Sequence, residues 1–229
     1  MNATFKDIKT IFLDIDDTLF DFKAGQKVAF FKAFESLGYD CNEDIYRSYD
    51  ILNESYWKMF ERGEITKERL IWERFEKLFE VLNINGSAYQ AELAYQDLLG
   101  KQAIWIDGAE EGLKYLINKY DVYLTTNGYG ATQRSRTQEK GIDKLVKDVY
   151  ISEVIGSPKP TKEYFDFCVN SANASRERTV VIGDSLSSDM MGGINASMHT
   201  IWFNYRRLPK TDLPVDFTVN TWREIYDIL

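Results

Sequence analysis

Thr10-Ile11-Phe12-Leu13 is an unbroken apolar and β-branched run that stops on a carboxylate, Asp14, and the chain repeats this pattern. Val122-Tyr123-Leu124-Thr125 stops on Thr126-Asn127-Gly128, and Val149-Tyr150-Ile151 on Ser152-Glu153. Thr179-Val180-Val181-Ile182 stops on Gly183-Asp184, and Thr200-Ile201-Trp202-Phe203 on Asn204. The first, second and fourth are near-continuous runs, which suit strands buried on both faces, as parallel strands are. Between them, Ala109–Lys119 carries Leu113, Leu116 and Ile117 at helical spacing. Lys162–Ala172 carries Tyr164, Phe165, Cys168 and Val169 likewise, and Asp189–Ala196 is short and rich in small residues. Alternating strand and helix predict an α/β fold with a parallel sheet wrapped by right-handed crossovers.

One region breaks the alternation. From about Phe22 to Gly100 only helical patterns occur: Val28, Phe31, Phe34 and Leu37, then Ile51, Tyr56, Met59 and Phe60, then Leu70, Phe75, Leu78 and Phe79. Gly38, Gly63 and Gly86 punctuate them, and Thr66 is placed to cap the helix that follows it. The prediction is a Rossmann-like core of residues 1–18 and 103–229 with an all-helical insertion over 19–102. A chain of 229 residues is long enough for a core domain plus a small insertion.

Charge and cysteine usage exclude several classes. A net charge of −8 argues against binding a nucleic-acid polymer through its backbone. No apolar run approaches the ~20 residues that span a bilayer. Met1 to Asp14 lacks an apolar leader core. Cys41 and Cys168 form neither a metal-ligand pattern nor a disulfide framework, and are expected as reduced thiols of a cytoplasmic protein.

Ligands of parallel α/β sheets gather outside the carboxyl ends of the strands. The residues there are Asp14, Asp16, Thr126, Asn127, Asp184 and Asp189, with Lys159 after the third run. Any one such Asp is as readily a turn former or helix cap; the ordered set is what points to chemistry. Residues two apart in an extended chain point to the same side, so Asp14 and Asp16 can share a pocket. Close carboxylates repel, and a divalent cation relieves the repulsion. Mg²⁺ takes oxygen ligands and keeps several waters, so Asp14, Asp16 and Asp184 are enough protein groups to hold it, and Mn²⁺ shares the preference. Asp14 can then attack a phosphate ester in line, while Asp16 protonates the leaving oxygen and later deprotonates water. Lys159, stiffened between Pro158 and Pro160, is expected to reach both phosphate and Asp14. The Thr126 hydroxyl and the following N–H, that of Asn127, suit a phosphate oxygen. Asp189 is expected to hold a metal-bound water or to orient Lys159. His199, the one histidine, lies far in sequence from these motifs.

Asp14-x-Asp16-x-Thr18, then Thr126, then Lys159, then Gly183-Asp184 through Asp189 resembles the four ordered motifs of the haloacid dehalogenase (HAD) superfamily, and the helical insertion resembles its C1 cap. The resemblance implies Asp14 as nucleophile and Asp16 as acid and base. It implies Mg²⁺ on Asp184 and the main-chain carbonyl of Asp16, with Thr18 and Asp189 supporting from behind. Asp16-Asp17-Thr18-Leu19-Phe20-Asp21-Phe22, Gly63-Glu64-Ile65-Thr66, Thr126-Asn127-Gly128 and Gly192-Gly193-Ile194-Asn195-Ala196 resemble the pyrimidine 5′-nucleotidase branch, a likeness that runs through the tail Glu224–Leu229. That branch implies a phosphatase whose partner is a small phosphorylated metabolite, a nucleoside monophosphate.

The insertion is expected to close over the site and select the substrate. Its aromatics Tyr56, Trp57, Phe60, Trp72 and Phe75 can stack on a base, but their helical spacing favours a core role. Arg62, Arg69 and Arg74 are expected on solvated faces. A sugar-phosphate or phosphoglycolate-type phosphatase, a phosphomutase and a fold-retaining binding protein stay open as alternatives. Dehalogenation is disfavoured, because it needs the nucleophile but neither an acid at Asp16 nor a metal. The sequence gives no oligomeric state.

Overall fold

The computed structural model describes residue 5 and residues 7–229; the rest of the expected leading segment lies outside the described residues. Six strands form one sheet: β1 (Thr10–Asp14), β2 (Asp121–Thr126), β3 (Asp148–Ile151), β4 (Thr179–Gly183), β5 (His199–Phe203) and β6 (Phe217–Val219). Their order is β3-β2-β1-β4-β5-β6 and every pairing is parallel. Burial follows the two-residue period of a strand. Ile11, Leu13, Val122, Leu124, Val180, Ile182, Ile201 and Phe203 share one apolar cluster, while Phe12, Val181 and Trp202 share another. Both faces are therefore dry, which is why these strands carry no polar alternation.

Helices connect the strands: α1 (Phe22–Ser36), α2 (Glu43–Glu61), α3 (Lys67–Leu82), α4 (Ala88–Leu99), α5 (Ala109–Ile117), α6 (Gly130–Glu139), α7 (Ser152–Ile155), α8 (Lys162–Ala172), α9 (Met191–Asn195) and α10 (Trp222–Tyr226). α5 and α10 fill the first cluster with Leu113, Leu116, Trp222 and Ile225. α8 fills the second with Tyr164, Phe165 and Cys168. The chain runs β1 to β2 to β3 in one direction and then restarts beside β1 with β4. The carboxyl ends of β1 and β4 thus flank the switch point, where such sheets leave a crevice. The stretch expected as one helix from Asp189 is instead a π-type turn, Leu186–Met190, followed by α9. Strand β6 and helix α6 were not predicted.

The chain folds as two compact units. One ends at Phe22 and resumes with Ala103–Leu229, and the other is Lys23–Gln102. The division falls after Phe22 rather than after Thr18, because Leu19 and Phe20 are fully buried in the first cluster of the sheet unit. Within the helical unit, Asn42, Thr66 and Ser87 cap α2, α3 and α4 with their side chains. Its centre is aromatic: the Phe30 ring lies 4.3 Å from Phe34 and 4.5 Å from Tyr49, with Phe75 and Tyr95 against Tyr49. Phe60 and Phe75 are buried in the unit, and Trp72 stacks on Tyr89 at 4.8 Å. Arg62 and Arg69 sit on exposed faces beside Glu64 and Glu73, as expected. Arg74 does not: it is buried against Glu92. Cys41 and Cys168 are free thiols. Among the described residues no helix is long and apolar enough to cross a membrane.

Candidate active site

Asp14 is the last residue of β1 and is buried, because its strand is covered on both faces. The next residues fold tightly back. The N–H groups of Leu19 and Phe20 both donate to the Ile15 carbonyl, at 2.9 and 3.0 Å. The Asp17 N–H donates to the Phe20 carbonyl at 2.7 Å. Asp17 takes a left-handed backbone, φ 58°, which Asp tolerates better than most residues. Its carboxylate accepts from the Phe22 N–H at 3.1 Å, from the Tyr205 hydroxyl at 2.8 Å and from Arg206. Thr18 is fully buried in this loop, and its carbonyl accepts from the Trp222 indole at 3.0 Å.

Lys159 is buried and its ammonium meets three acceptors. Nζ lies 2.6 Å from Asp14 Oδ1, 2.6 Å from Asp189 Oδ1 and 3.3 Å from the Thr125 carbonyl. Its backbone is clamped: the Lys159 N–H donates to Asn127 Oδ1, and Asn127 Nδ2 donates to the Lys159 carbonyl, both at 2.9 Å. The Asn127 side chain is therefore committed to holding the lysine, a role the sequence reading did not assign to it. Thr126 Oγ1 accepts from the Gly128 N–H at 2.9 Å and from Gln133 Nε2 at 3.0 Å, so its own hydrogen can serve another acceptor.

At the other flank, β4 ends on Gly183. A Cβ there would fall 2.3 Å from Asp189 Cγ, so only glycine lets the Asp189 side chain approach. Asp189 Oδ2 also accepts from the Ser185 N–H at 3.2 Å. Asp14, Asp184 and Asp189 offer carboxylate oxygens that all lie within 4.8 Å of one another. Asp16 is not in that trio. Its carboxylate is held by Gln133 Nε2 at 2.6 Å and by Arg136, which leaves its main-chain carbonyl as its route to an ion.

Electrostatics follow from crowding. Burial pushes the Asp14 carboxyl up to about 8 against the pull of Lys159, and the charges of Asp189 and Asp16 push the same way as burial. Burial, with Asp17, Asp14 and Asp189 nearby, holds Asp184 well above the usual carboxylate range. Burial lowers Lys159, but Asp14 and Asp189 outweigh it and keep the amine above its ordinary value. Lys159 pairs with Asp14 and Asp189, and Arg206 pulls on Asp184 without offsetting its burial and the neighbouring carboxylates. The unbalanced charge and the all-oxygen donor set fit a hard divalent ion. His199 stands apart, 3.6 Å from Asp216. Gln133 and Arg136 were missed in the sequence: α6 has almost no apolar residue to mark it as buried.

Residues 8–197 match the family model of haloacid dehalogenase-like hydrolases. The pyrimidine 5′-nucleotidase PynA of Streptococcus pneumoniae is 32% identical, over 96% of this chain and 94% of its own. The pyrimidine 5′-nucleotidase YjjG of Escherichia coli is 29% identical, over 96% of each. The crystal structure of the HAD-hydrolase YfnB of Bacillus subtilis, bound to magnesium, superposes with a TM-score of 0.91 at 31% identity, covering 97% of this chain and 98% of that one.

Proposed function

Because the chain belongs to the haloacid dehalogenase-like hydrolases, we propose that it is a Mg²⁺-dependent phosphatase acting on pyrimidine nucleoside 5′-monophosphates. The observation that carries the reading is the buried Lys159 bridging Asp14 and Asp189 beside Asp184, at the carboxyl ends of β1 and β4. Asp14 attacks phosphorus as the bond to the nucleoside oxygen breaks, and Asp16 delivers a proton to that oxygen. Water, deprotonated by Asp16, then displaces Asp14 from phosphorus and frees phosphate. Lys159 fixes the Asp14 carboxylate and offsets charge as the phosphoryl group approaches, the kind of positioning and neutralisation on which phosphoryl transfer depends. The Thr126 hydroxyl and the Asn127 N–H receive phosphate oxygens. Asp14, Asp184 and the Asp16 carbonyl, with Asp189 beside them, would hold the Mg²⁺, which when bound neutralises phosphate charge; Mn²⁺ suits the same oxygens. The helical unit is the C1 cap on this reading. The relatives' substrate class supports the pyrimidine assignment.

Initial rates on UMP, dUMP and dTMP, set beside sugar phosphates and phosphoglycolate, test it. The expected outcome is the highest kcat/KM on the pyrimidine monophosphates, loss of activity with chelator and recovery with Mg²⁺. Faster cleavage of the sugar phosphates, or rates indifferent to chelation, would overturn the assignment.

A further inference from the structure

Helix α6 puts polar groups where apolar ones are expected. Gln133 and Arg136, one turn apart, are 1% and 0% exposed. Burying an amide and a guanidinium is costly unless both are paired, and their pairing is specific. Gln133 Nε2 reaches Asp16 Oδ2 at 2.6 Å, and Arg136 Nη1 bonds Asp16 Oδ1. Arg136 also donates to Gln133 Oε1 at 3.2 Å, and its guanidinium lies 5.1 Å over the Phe20 ring. The same Gln133 nitrogen sits 3.0 Å from Thr126 Oγ1. A Cβ on Gly128 would come within 2.0 Å of it, so the Asn-Gly turn is shaped around this amide. Each oxygen of Asp16 therefore has its own donor, while the side chain stays 26% exposed against 1% for Arg136. An ionised carboxylate has about four lone-pair sites and a protonated one a donor hydrogen besides its remaining acceptor sites, so two donors fix its orientation and leave a face outward.

We infer that Gln133 and Arg136 are positioning residues that aim the Asp16 carboxyl at the leaving oxygen of the substrate. The inference rests on the phosphatase reading. In the first step an Asp14 oxygen bonds to phosphorus and the bond from phosphorus to the ester oxygen breaks. That oxygen takes the Asp16 proton, leaving an alcohol, an aspartyl-phosphate at Asp14 and a carboxylate at Asp16. An alkoxide is a poor leaving group and needs the proton as it departs, whereas p-nitrophenolate leaves as a stable anion. Misaiming Asp16 therefore harms alkyl esters more than activated aryl esters. Lysine cannot reproduce the planar guanidinium's fixed direction, although it keeps the charge.

The test compares kcat/KM of wild type, Gln133→Leu and Arg136→Lys on a nucleoside or glycerol monophosphate and on p-nitrophenyl phosphate, with Mg²⁺. kcat/KM stops at the first irreversible step, so the later attack of water, in which Asp16 acts again, does not enter. Both variants are expected to lose on the order of 10- to 100-fold more on the alkyl ester than on the aryl ester. Arg136→Lys retains the buried cation, so a folded variant is available should Gln133→Leu unfold. Equal losses on both esters, as from a damaged fold or a lost Thr126 contact, would overturn the positioning role, and so would no loss on either. Wild-type protein that cleaves neither ester removes the phosphatase reading and this inference together; wild-type cleavage with equal losses in the variants removes this inference alone.

Discussion

Asp14→Asn is expected to lower turnover of phosphate monoesters by about 10⁴-fold or more, because the nucleophile is lost while its surroundings stay. The same substitution is expected to leave the metal-free protein as stable as wild type at pH 8, or more so. The Asp14 carboxyl stands at about 8 in the fold against an ordinary 3.8. Between those values the folded chain keeps a proton that the unfolded chain has released, so this group's contribution to stability falls as pH rises through that window. An uncharged amide of the same shape avoids the penalty, and Lys159 keeps Asp189 as its partner. Initial rates and the Tm in chelator, read together on one preparation, check both halves. Turnover near wild type removes Asp14 from the nucleophile's place, and a large fall in Tm makes the lost activity uninformative about chemistry.

The second large effect is expected in the helical unit. Arg74 and Glu92 are 2% and 0% exposed and form a two-point pair, at 2.9 and 3.1 Å. The pair continues into a polar chain: Arg74 donates to Asn53, Asn53 donates to Gln26 at 2.8 Å, and Gln26 donates to Asp50 at 2.7 Å. Tyr95, Phe75 and Tyr49 rings lie 5.4 to 5.9 Å from the guanidinium. Arg74→Met leaves Glu92 buried without a cation and should destabilise the protein by about 3–5 kcal/mol. Burial raises the Glu92 carboxyl above its usual range despite Arg74, while Glu92 and the neighbouring tyrosines keep Arg74 above its own against burial, so only the carboxylate side of the pair carries unrepaid desolvation. The double variant Arg74→Met, Glu92→Leu should therefore recover most of the loss. Denaturant unfolding of the single and double variants measures this, and a single variant within about 1 kcal/mol of wild type would contradict it, since that is the scale of an exposed pair.

Arg74 also marks where sequence reasoning stopped. Leu70, Ile71, Phe75, Leu78 and Phe79 make the buried face of α3, and Arg74 sits within that stripe at helical spacing. Glu92 sits likewise among Ala91, Tyr95 and Leu99 on α4. Two opposite charges on two apolar stripes are a signal of a buried pair, but which helix faces which is set by tertiary packing. The strands that build the site were legible for a simpler reason: β1 and β4 are buried on both faces, so their runs are unbroken and their ends fall on Asp14 and Gly183-Asp184. β6 was not legible, because Phe217-Thr218-Val219 is too short to show a period. α6 was not, because its buried side chains are polar, and two of them, Gln133 and Arg136, are paired with Asp16 more than a hundred positions away. The convergence of Asp14, Lys159 and Asp184 was expected from their places at or just after the ends of the strand-like runs. The inclusion of Asp189 in the carboxylate trio, and the Asn127 clamp on Lys159, depend on loop geometry that only coordinates supply.

The most direct measurement traps the covalent step. A single turnover of UMP with Mg²⁺ is quenched, reduced with borohydride and mapped by peptide mass spectrometry; an aspartyl-phosphate is reduced to homoserine under these conditions. Homoserine at position 14, absent when substrate is omitted, is the predicted result. Phosphate release with residue 14 unaltered, or homoserine at any other aspartate, would contradict the account.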